Sequence, residues 1–316
     1  MYSRKRSSIL RNKFVSFATA AACCALLAAC GGDDDGTPTP TPTPTSTATP
    51  TPTPTPTPTA VDFDFTKAFT TSNANTAYSF AYFKPTGGNE VWSDGARRNG
   101  LSSINYAISP ENVAFGWPDD TPLTTFAAAD LLNASPTLRT YRKGTDGLAM
   151  EIPFTHVLRV SYENSVSFVR ETVAGTLRSQ RYSLFFNGVT TTTDFTTDLS
   201  YTGTPQIAGG VSGTTAAGVF SSPATTINVA ASNKALTGTL RIIEDVNGTP
   251  TERAALALSS TVGVTGVFSG TIDDTASGLK GTFVGSLAGP AREEIFLIFN
   301  VSKTDGPEYI GSLIGG

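Results

Sequence analysis

From about residue 200 onward, short segments of alternating apolar and polar residues are separated by turns rich in Gly and Asn, such as VNGTP and IDDTASG. The predicted strands are DLSYTG, AAGVFS, TTINVAA, ALTGTLRII, RAALALSS, GVFSGTI, GLKGTFVGSLA, EEIFLIFNVS and EYIGSLIG. Many short antiparallel strands at this spacing are typical of a β-barrel or β-sandwich. Because closure would hide exposed strand edges, we predict a small antiparallel barrel of about eight strands over residues 196–316.

The pattern in residues 61–195 is less regular but also favours strands. VDFDF alternates, and FAAADLL, from Phe126 to Leu132, predicts either a short helix or an apolar connection. Further strand candidates are AYSFAYF, INYAIS, LAMEIPF, HVLRVSY, SVSFVRE and RYSLFFNG. Thr, Ser, Gly, Val and Phe are abundant, a composition that favours strands. We therefore predict an all-β chain in which a second β-rich, handle-like region precedes the barrel.

The predicted barrel could in principle be soluble or could span a membrane. A spanning barrel needs strands of about ten residues with an apolar lipid-facing side and aromatic girdles. The strands predicted here are short and interrupted by Gly. We therefore favour a soluble barrel and keep a spanning one as the alternative.

The first thirty residues have the layout of an export signal. Five basic residues precede the apolar, alanine-rich run Phe14 to Ala29, and Cys30 follows directly. The sequence Leu27-Ala28-Ala29-Cys30 resembles the lipobox of bacterial lipoproteins. This resemblance implies a signal peptide at 1–29, cleavage between Ala29 and Cys30, and acylation of Cys30. The alternative is an ordinary secretory signal in which Cys30 has no role.

Residues 30–60 form the predicted lipid-anchored linker. Thr and Pro alternate from Thr37 to Thr59, and proline favours extended backbone of the polyproline type. At about 3.1 Å per residue, this stretch would reach roughly 70 Å. We interpret it as a stiff stalk that lifts a folded domain from the lipid surface; a flexible filler is the alternative. Gly31, by resemblance to Gram-negative lipoproteins, favours the outer membrane.

Charge and cysteine content exclude several function classes. Removing residues 1–29 leaves 17 basic and 26 acidic side chains, a formal net charge of −9, so a nucleic-acid partner is not expected. The cysteines are Cys23, Cys24 and Cys30, and His156 is the single histidine. We therefore expect no disulfide after residue 30, no zinc or haem site, and no cofactor.

Candidate catalytic residues are few. His156 lies in the apolar, strand-like segment PFTHVLRV without a nucleophile motif, so we expect a structural histidine. The pairs Asp119-Asp120 and Asp273-Asp274 could be paired acids or calcium ligands, but we expect them to stabilise turns. Gly87-Gly88 and Gly209-Gly210 do not precede helices and are not predicted phosphate sites. We expect burial rather than partner binding for five aromatic residues: Tyr78, Tyr82, Phe83, Trp92 and Trp117.

Five short motifs follow one another in the C-terminal region: YTG at 201–203, TTINVA at 225–230, LTGTL at 236–240, FSGT at 268–271 and GTFVGSLAGPAREE at 281–294. Their order resembles that in the barrel domain of transferrin-binding protein B and its surface-lipoprotein relatives. The last motif is similar to the family's G-x-F-x-G-x-x-x-G-P-x-A-x-E signature. It predicts that Phe283 and Leu287 face inward, that Gly289-Pro290 begin a turn, and that residues 291–294 add one helical turn. The likeness covers roughly residues 165–316.

The resemblance implies a surface-lipoprotein class but does not carry over transferrin as the ligand, and it assigns no ligand-binding residue. We expect a non-enzymatic protein at the outer membrane, anchored through lipid on Cys30, that binds an unknown protein or solute at the cell surface. Two alternatives are a structural envelope lipoprotein and a polysaccharide-active enzyme, which would need two carboxylates about 5 to 10 Å apart in one groove.

Overall fold

The structure is a computed structural model, and it describes residues 62–118, 123–191 and 194–316. The predicted signal peptide, Cys30, the Thr-Pro linker and Asp119-Asp120 lie outside the described residues. Twenty-one strands and a single turn of 3₁₀ helix, Ala128–Asp130, make up the regular elements of the described part. All strand pairings recorded there are antiparallel, which confirms the predicted all-β class.

Strands β1 to β11 form an N-terminal module of two sheets. A four-stranded sheet has the order β1-β4-β5-β6, and a seven-stranded sheet has the order β3-β2-β11-β10-β9-β8-β7. The strands are β1 Phe69–Ala74, β2 Ala77–Pro85, β3 Val91–Arg98, β4 Leu101–Ile108, β5 Glu111–Gly116, β6 Thr124–Ala127, β7 Leu131–Ala134, β8 Leu138–Lys143, β9 Asp146–Phe154, β10 Val157–Arg170 and β11 Val173–Phe186.

The core of this module lies between its two sheets and follows from the period-two pattern. Alternate residues of β9, namely Leu148, Met150 and Ile152, face the four-stranded sheet and meet residues such as Ile104 and Phe115. The segment FAAADLL becomes the end of β6, the 3₁₀ turn and the start of β7. The two predicted strands HVLRVSY and SVSFVRE are one 14-residue strand, β10.

The predicted strand VDFDF was wrong in its described part. Phe63 and Phe65 are buried in the core between the two sheets, but residues 62–65 belong to no strand. One backbone bond, from the Phe63 amide to the Thr155 carbonyl at 3.0 Å, attaches the segment. The alternation of apolar and polar residues in this segment therefore reflects the burial of every second side chain. It does not mark a strand that is hydrogen-bonded to a neighbour.

Strands β12 to β21 form a C-terminal module. They are β12 Leu199–Gly203, β13 Gln206–Gly210, β14 Phe220–Ser221, β15 Thr225–Val229, β16 Ala235–Val246, β17 Thr249–Thr261, β18 Val267–Asp274, β19 Leu279–Ala288, β20 Glu294–Ser302 and β21 Glu308–Gly315. One five-stranded sheet has the order β12-β15-β16-β14 with β17 also paired to β16, and the other has the order β13-β21-β20-β19-β18.

The two sheets enclose a common apolar core. Phe283 and Leu287 are fully buried in it, as predicted. The outward positions of the same module carry exposed hydroxyl side chains, such as Thr202, Thr226 and Thr237. This polarity is the reverse of the apolar outer band of a spanning barrel, so the module has the polarity predicted for a soluble one.

The predicted closure into one barrel sheet needs correction, because neither five-stranded sheet closes on itself. The two sheets are separate at two edges, between β17 and β18, which no ladder joins, and between β12 and β21. At the second edge the physical reason is β13, which the sequence pattern did not reveal. It pairs with Glu308 to Ser312 of β21 and so occupies the edge that β12 would need for closure. β12 meets only the end of β21, through Thr202 and Gly316, whose amides and carbonyls exchange bonds of 3.1 and 3.4 Å.

The turn in GTFVGSLAGPAREE also differs from the prediction. Gly289-Pro290 do begin a turn, closed by a bond from the Arg292 amide to the Gly289 carbonyl at 3.2 Å. Residues 291–294 add no helical turn. Arg292 has a φ of 66°, which is incompatible with a right-handed helix.

A third core joins the two modules. Tyr78, Phe80 and Trp92 of the seven-stranded sheet pack there against Phe296 and Ile310 of β20 and β21. The Tyr78 hydroxyl lies 3.1 Å from the Ser312 hydroxyl in this buried contact. No helix among the described residues is long and apolar enough to cross a membrane.

Candidate functional site

The structure places the five singled-out aromatic residues in the interior. Tyr78 and Trp92 are each 1% exposed, and Tyr82, Phe83 and Trp117 are also buried. The prediction that these residues form core is confirmed.

His156 lies in the turn between β9 and β10 and not in a strand as the sequence predicted. Its backbone amide donates to both carboxylate oxygens of Glu294, at 3.0 and 2.9 Å. Its Nδ1 atom lies 3.4 Å from the Asp62 carboxylate. Burial raises the pKa of Glu294, and the hydrogen bond donated by the His156 backbone amide opposes this rise. These contacts join the start of the described chain, the β9–β10 turn and β20.

The Asp273-Asp274 pair stabilises a turn, as predicted. The Asp274 carboxylate accepts bonds from the Ala276 amide at 3.2 Å and the Ser277 hydroxyl at 2.6 Å. Asp273 pairs with Lys280 at 3.0 Å. Within residues 62–118, 123–191 and 194–316, no group of three or more His, Cys, Asp and Glu side chains is arranged to hold a metal ion.

The interior of the C-terminal module is occupied by its own side chains. Phe268, Phe283 and Phe299 are at most 2% exposed and belong to a single apolar cluster. Close packing of these rings leaves no space for a ligand between them.

The tip of the β10–β11 hairpin exposes an unusual number of apolar side chains. Val166, Phe168, Val169 and Val173 are 42–59% exposed, and Val211 in the following module is 41% exposed. We call these five residues the distal surface. Alternation along β10 places Val166 and Phe168 on one face of the hairpin and Val169 on the other, so the tip is apolar on both faces. Several large apolar groups exposed in one short segment are typical of interaction sites, whereas single ones need no explanation.

Contacts within the described residues hold the distal surface in place. The ring of Phe168 packs edge to face on the buried ring of Phe83, with 6.2 Å between the ring centres. The Arg170 guanidinium lies 6.0 Å from the centre of the Phe83 ring. Arg170 also donates to the Ser212 hydroxyl at 3.0 Å, next to Val211. The apolar side chains are therefore presented on a fixed scaffold.

The distal surface lies far from the point where the described chain begins. Phe63 is bonded to Thr155, beside the first residue of β10, and the tip follows the last residue of β10. Fourteen strand residues at about 3.3 Å each separate the two ends by roughly 45 Å. The tip therefore lies at the end of β10 opposite to the start of the described chain.

A second candidate site lies on the open face of the seven-stranded sheet, where Tyr182 stands between two hollows. One hollow, of about 450 Å³, runs along the junction of the modules beside Phe80, Arg178 and Phe220. The other, of about 240 Å³, lies over β8 to β11. The Tyr182 ring stacks on Tyr78 at 4.9 Å with 5° between the planes.

Fixed charges line the same face. Arg178 donates to both Glu90, at 2.8 and 2.6 Å, and Glu163, at 3.1 Å. The hydrogen bonds that Arg178 donates to Glu90 are the main cause that raises the pKa of Arg178. Burial alone would raise the pKa of Glu163, but hydrogen bonds from Gln180 and Arg178 together hold it below its usual value. Burial raises the pKa of Tyr182 to about 12.

Neither site was identified from the sequence. The segment VAGTLRSQ, which begins β11, is not among the predicted strands, because it opens with small and apolar residues and ends with three consecutive polar ones. The positions Arg178, Gln180 and Tyr182 have the i, i+2 spacing of one strand face, which is the signal that could have found the second site.

No protein-family model matches the sequence, and no curated protein matches it. Solved structures are similar to it at low identity. A transferrin-binding protein B double mutant from Haemophilus parasuis Hp5 has a TM-score of 0.37 and 13% identity, over 72% of this chain and 52% of that one. A surface lipoprotein has a TM-score of 0.36 and 10% identity, over 77% and 100%. The isotype 1 transferrin-binding protein B from serogroup B Neisseria meningitidis has a TM-score of 0.36 and 12% identity, over 72% and 52%.

The chain thus spans about half the length of these two transferrin-binding protein B structures. Transferrin-binding protein B and a surface lipoprotein are among the solved structures similar to this chain, as the motifs in residues 165–316 predicted.

Proposed function

We propose that the chain is an outer-membrane lipoprotein, anchored by lipid on Cys30 and raised on its Thr-Pro stalk, that binds a partner protein at the cell surface without covalent chemistry. The distal surface is the binding surface in this proposal. The roles of Cys30 and the Thr-Pro stalk in this proposal rest on the sequence pattern alone.

The observation that carries the proposal is the apolar hairpin tip at the end of β10 away from the chain's entry. An exposed apolar patch loses its contact with water when a complementary protein surface covers it, and each square ångström of apolar area buried contributes roughly 25 cal/mol. Arg170 and Ser212 supply a polar rim beside Phe168 and Val211.

The binding test compares two double variants of the full-length chain in pull-downs from the growth medium and from mixed cell extracts. Phe168→Ser with Val169→Ser removes apolar area from the distal surface. The matched control, Val264→Ser with Val267→Ser, changes two valines of the C-terminal module that are 63% and 55% exposed. We expect a partner that the wild type and the control recover and the tip variant loses. Equal recovery by all three proteins would contradict the assignment.

The anchor and its side of the membrane need separate tests. Metabolic palmitate labelling should mark the wild type and fail for Cys30→Ser. Protease treatment of intact cells should remove the described domain if it faces outward, whereas a protected domain would favour the structural, periplasm-facing alternative.

A further inference from the structure

The hollow over β8 to β11 has a definite construction that follows from strand register. Tyr182 is paired with Tyr78 on one side and with Ser161 on the other. Ser161 is in turn paired with Ala149, and Ala149 is paired with Thr140. Three small residues therefore lie beside the Tyr182 ring, so the ring forms an end wall of the hollow, with its opposite side supported by Tyr78.

One side of the hollow carries planar hydrogen-bonding groups that are already positioned. Gln180 donates to Glu163 at 3.0 Å and accepts a bond from the Tyr182 hydroxyl at 3.0 Å. Arg142 lies 3.5 Å from the same glutamate. Outside the hollow, on the same face of the sheet, the Arg159 Nε atom donates to Glu151 across the β9–β10 ladder at 2.9 Å.

The charges on this face balance. The arginines Arg142, Arg159 and Arg178 are matched by the glutamates Glu90, Glu151 and Glu163 through direct ion pairs. A strongly charged ligand would have to break one of these pairs and would leave its partner uncompensated, at a cost in desolvation. A neutral ligand with many hydroxyl groups can instead add hydrogen bonds to the Glu163 carboxylate, the Arg142 guanidinium and the Gln180 amide, which line the hollow.

We propose that this face is a binding site for a neutral oligosaccharide, with one sugar ring stacked on Tyr182 in the smaller hollow and the chain continuing past Tyr182 into the junction hollow. A pyranose ring has an apolar C–H face and a rim of hydroxyl groups. The weakly positive C–H face matches the negative face of an aromatic ring, and the rim matches the planar polar groups. The site is separate from the distal surface and independent of it.

The test is saturation-transfer NMR and titration calorimetry with the full-length chain in mild detergent, using malto-, cello-, laminari- and chito-oligosaccharides as probes. We expect at least one neutral series to receive saturation at its ring C–H protons. Tyr182→Ala should weaken its binding by roughly tenfold or more, because the stacking wall is lost. Tyr182→Phe, which keeps the ring, should bind within a few fold of wild type.

A steric variant makes the result independent of the tyrosine. Ser161→Trp should fill the hollow and abolish binding, whereas Ser259→Trp, on the outer face of β17, should not change it. Circular dichroism and melting temperature identify variants that fold normally. The proposal is overturned if no neutral oligosaccharide binds, if only charged oligosaccharides bind, or if Tyr182→Ala and Ser161→Trp bind as the wild type does. Those results would leave the distal-surface proposal intact, since that proposal depends on Phe168 and Val169.

Discussion

The close approach of β12 to the end of β21 can be tested by adding a single methyl group at Gly203. At Gly203, an added Cβ atom would lie 2.0 Å from the Ile314 carbonyl oxygen and 3.1 Å from the Gly315 Cα atom. The first distance is far inside van der Waals contact with backbone that cannot rotate away. Gly203→Ala must therefore push the two strands apart and weaken the two Thr202–Gly316 backbone bonds of 3.1 and 3.4 Å.

The expected cost follows from these two effects. Overpacking costs about 1–3 kcal/mol, and each backbone bond contributes about 0.5–1.5 kcal/mol, so the free energy of unfolding should fall by about 2–6 kcal/mol. At roughly 2–4 °C per kcal/mol for a chain of this size, the melting temperature should fall by at least about 4 °C. Thermal denaturation of the full-length chain, followed by circular dichroism, measures this change.

Gly188→Ala is the matched control, because nothing lies within 4 Å of a Cβ atom placed there. It should change the free energy of unfolding by no more than about 0.5 kcal/mol. If Gly203→Ala is as stable as this control, the close contact between β12 and the end of β21 does not contribute to the stability of the C-terminal module, which would contradict the reasoning.

Three further changes test the core and the charged face. Phe296→Ala, in the core between the modules at 1% exposure, should cost about 3–5 kcal/mol in urea unfolding, whereas Phe168→Ala at the half-exposed tip should cost about 0.5–1.5 kcal/mol through its lost contact with Phe83. The pKa of Glu163 is held below its ordinary value of 4.5, so its stabilisation is present above pH 4.5 and is lost as the pH falls below it. Glu163→Gln should flatten that part of the stability profile, and an unchanged profile would contradict the assignment. The pKa of Tyr182 is raised by burial from 10.0 to about 12, so folding stability should fall as the pH rises between these values. Tyr182→Phe should remove one late-ionising phenol from the absorbance titration.

The sequence predicted the C-terminal strands well because their burial is one-sided. In β15, Thr225, Ile227 and Val229 are buried and the residues between them are exposed, so the period of two is visible in the residue types. β13 has the sequence QIAGG, whose glycines carry no side chain to alternate, and it was missed. That omission accounts for one of the two gaps between the sheets; the other lies between β17 and β18, which are not joined by a ladder.

The candidate site on the seven-stranded sheet could be predicted only in part. The spacing of Arg178, Gln180 and Tyr182 places them on one face of β11. Their partners come from far along the chain, since Tyr78 precedes Tyr182 by more than a hundred residues and Glu90 precedes Arg178 by 88. The local sequence pattern does not encode which strands become neighbours. The stacking of Tyr182 on Tyr78 and the ion pair between Arg178 and Glu90 are therefore visible only in the folded structure.

The width of the seven-stranded sheet explains why this face remains open beside a buried junction. Seven strands at about 4.8 Å apart span roughly 29 Å between the outermost strands. The C-terminal module packs against one end of this width, where β2, β3 and β11 provide Tyr78, Trp92 and Leu184. Toward β8 the same face carries Ser161, Ala149 and Thr140, which are too small to support further packing. Tyr182 lies at the boundary between these two parts, and this position gives it one stacked side and one side next to a hollow.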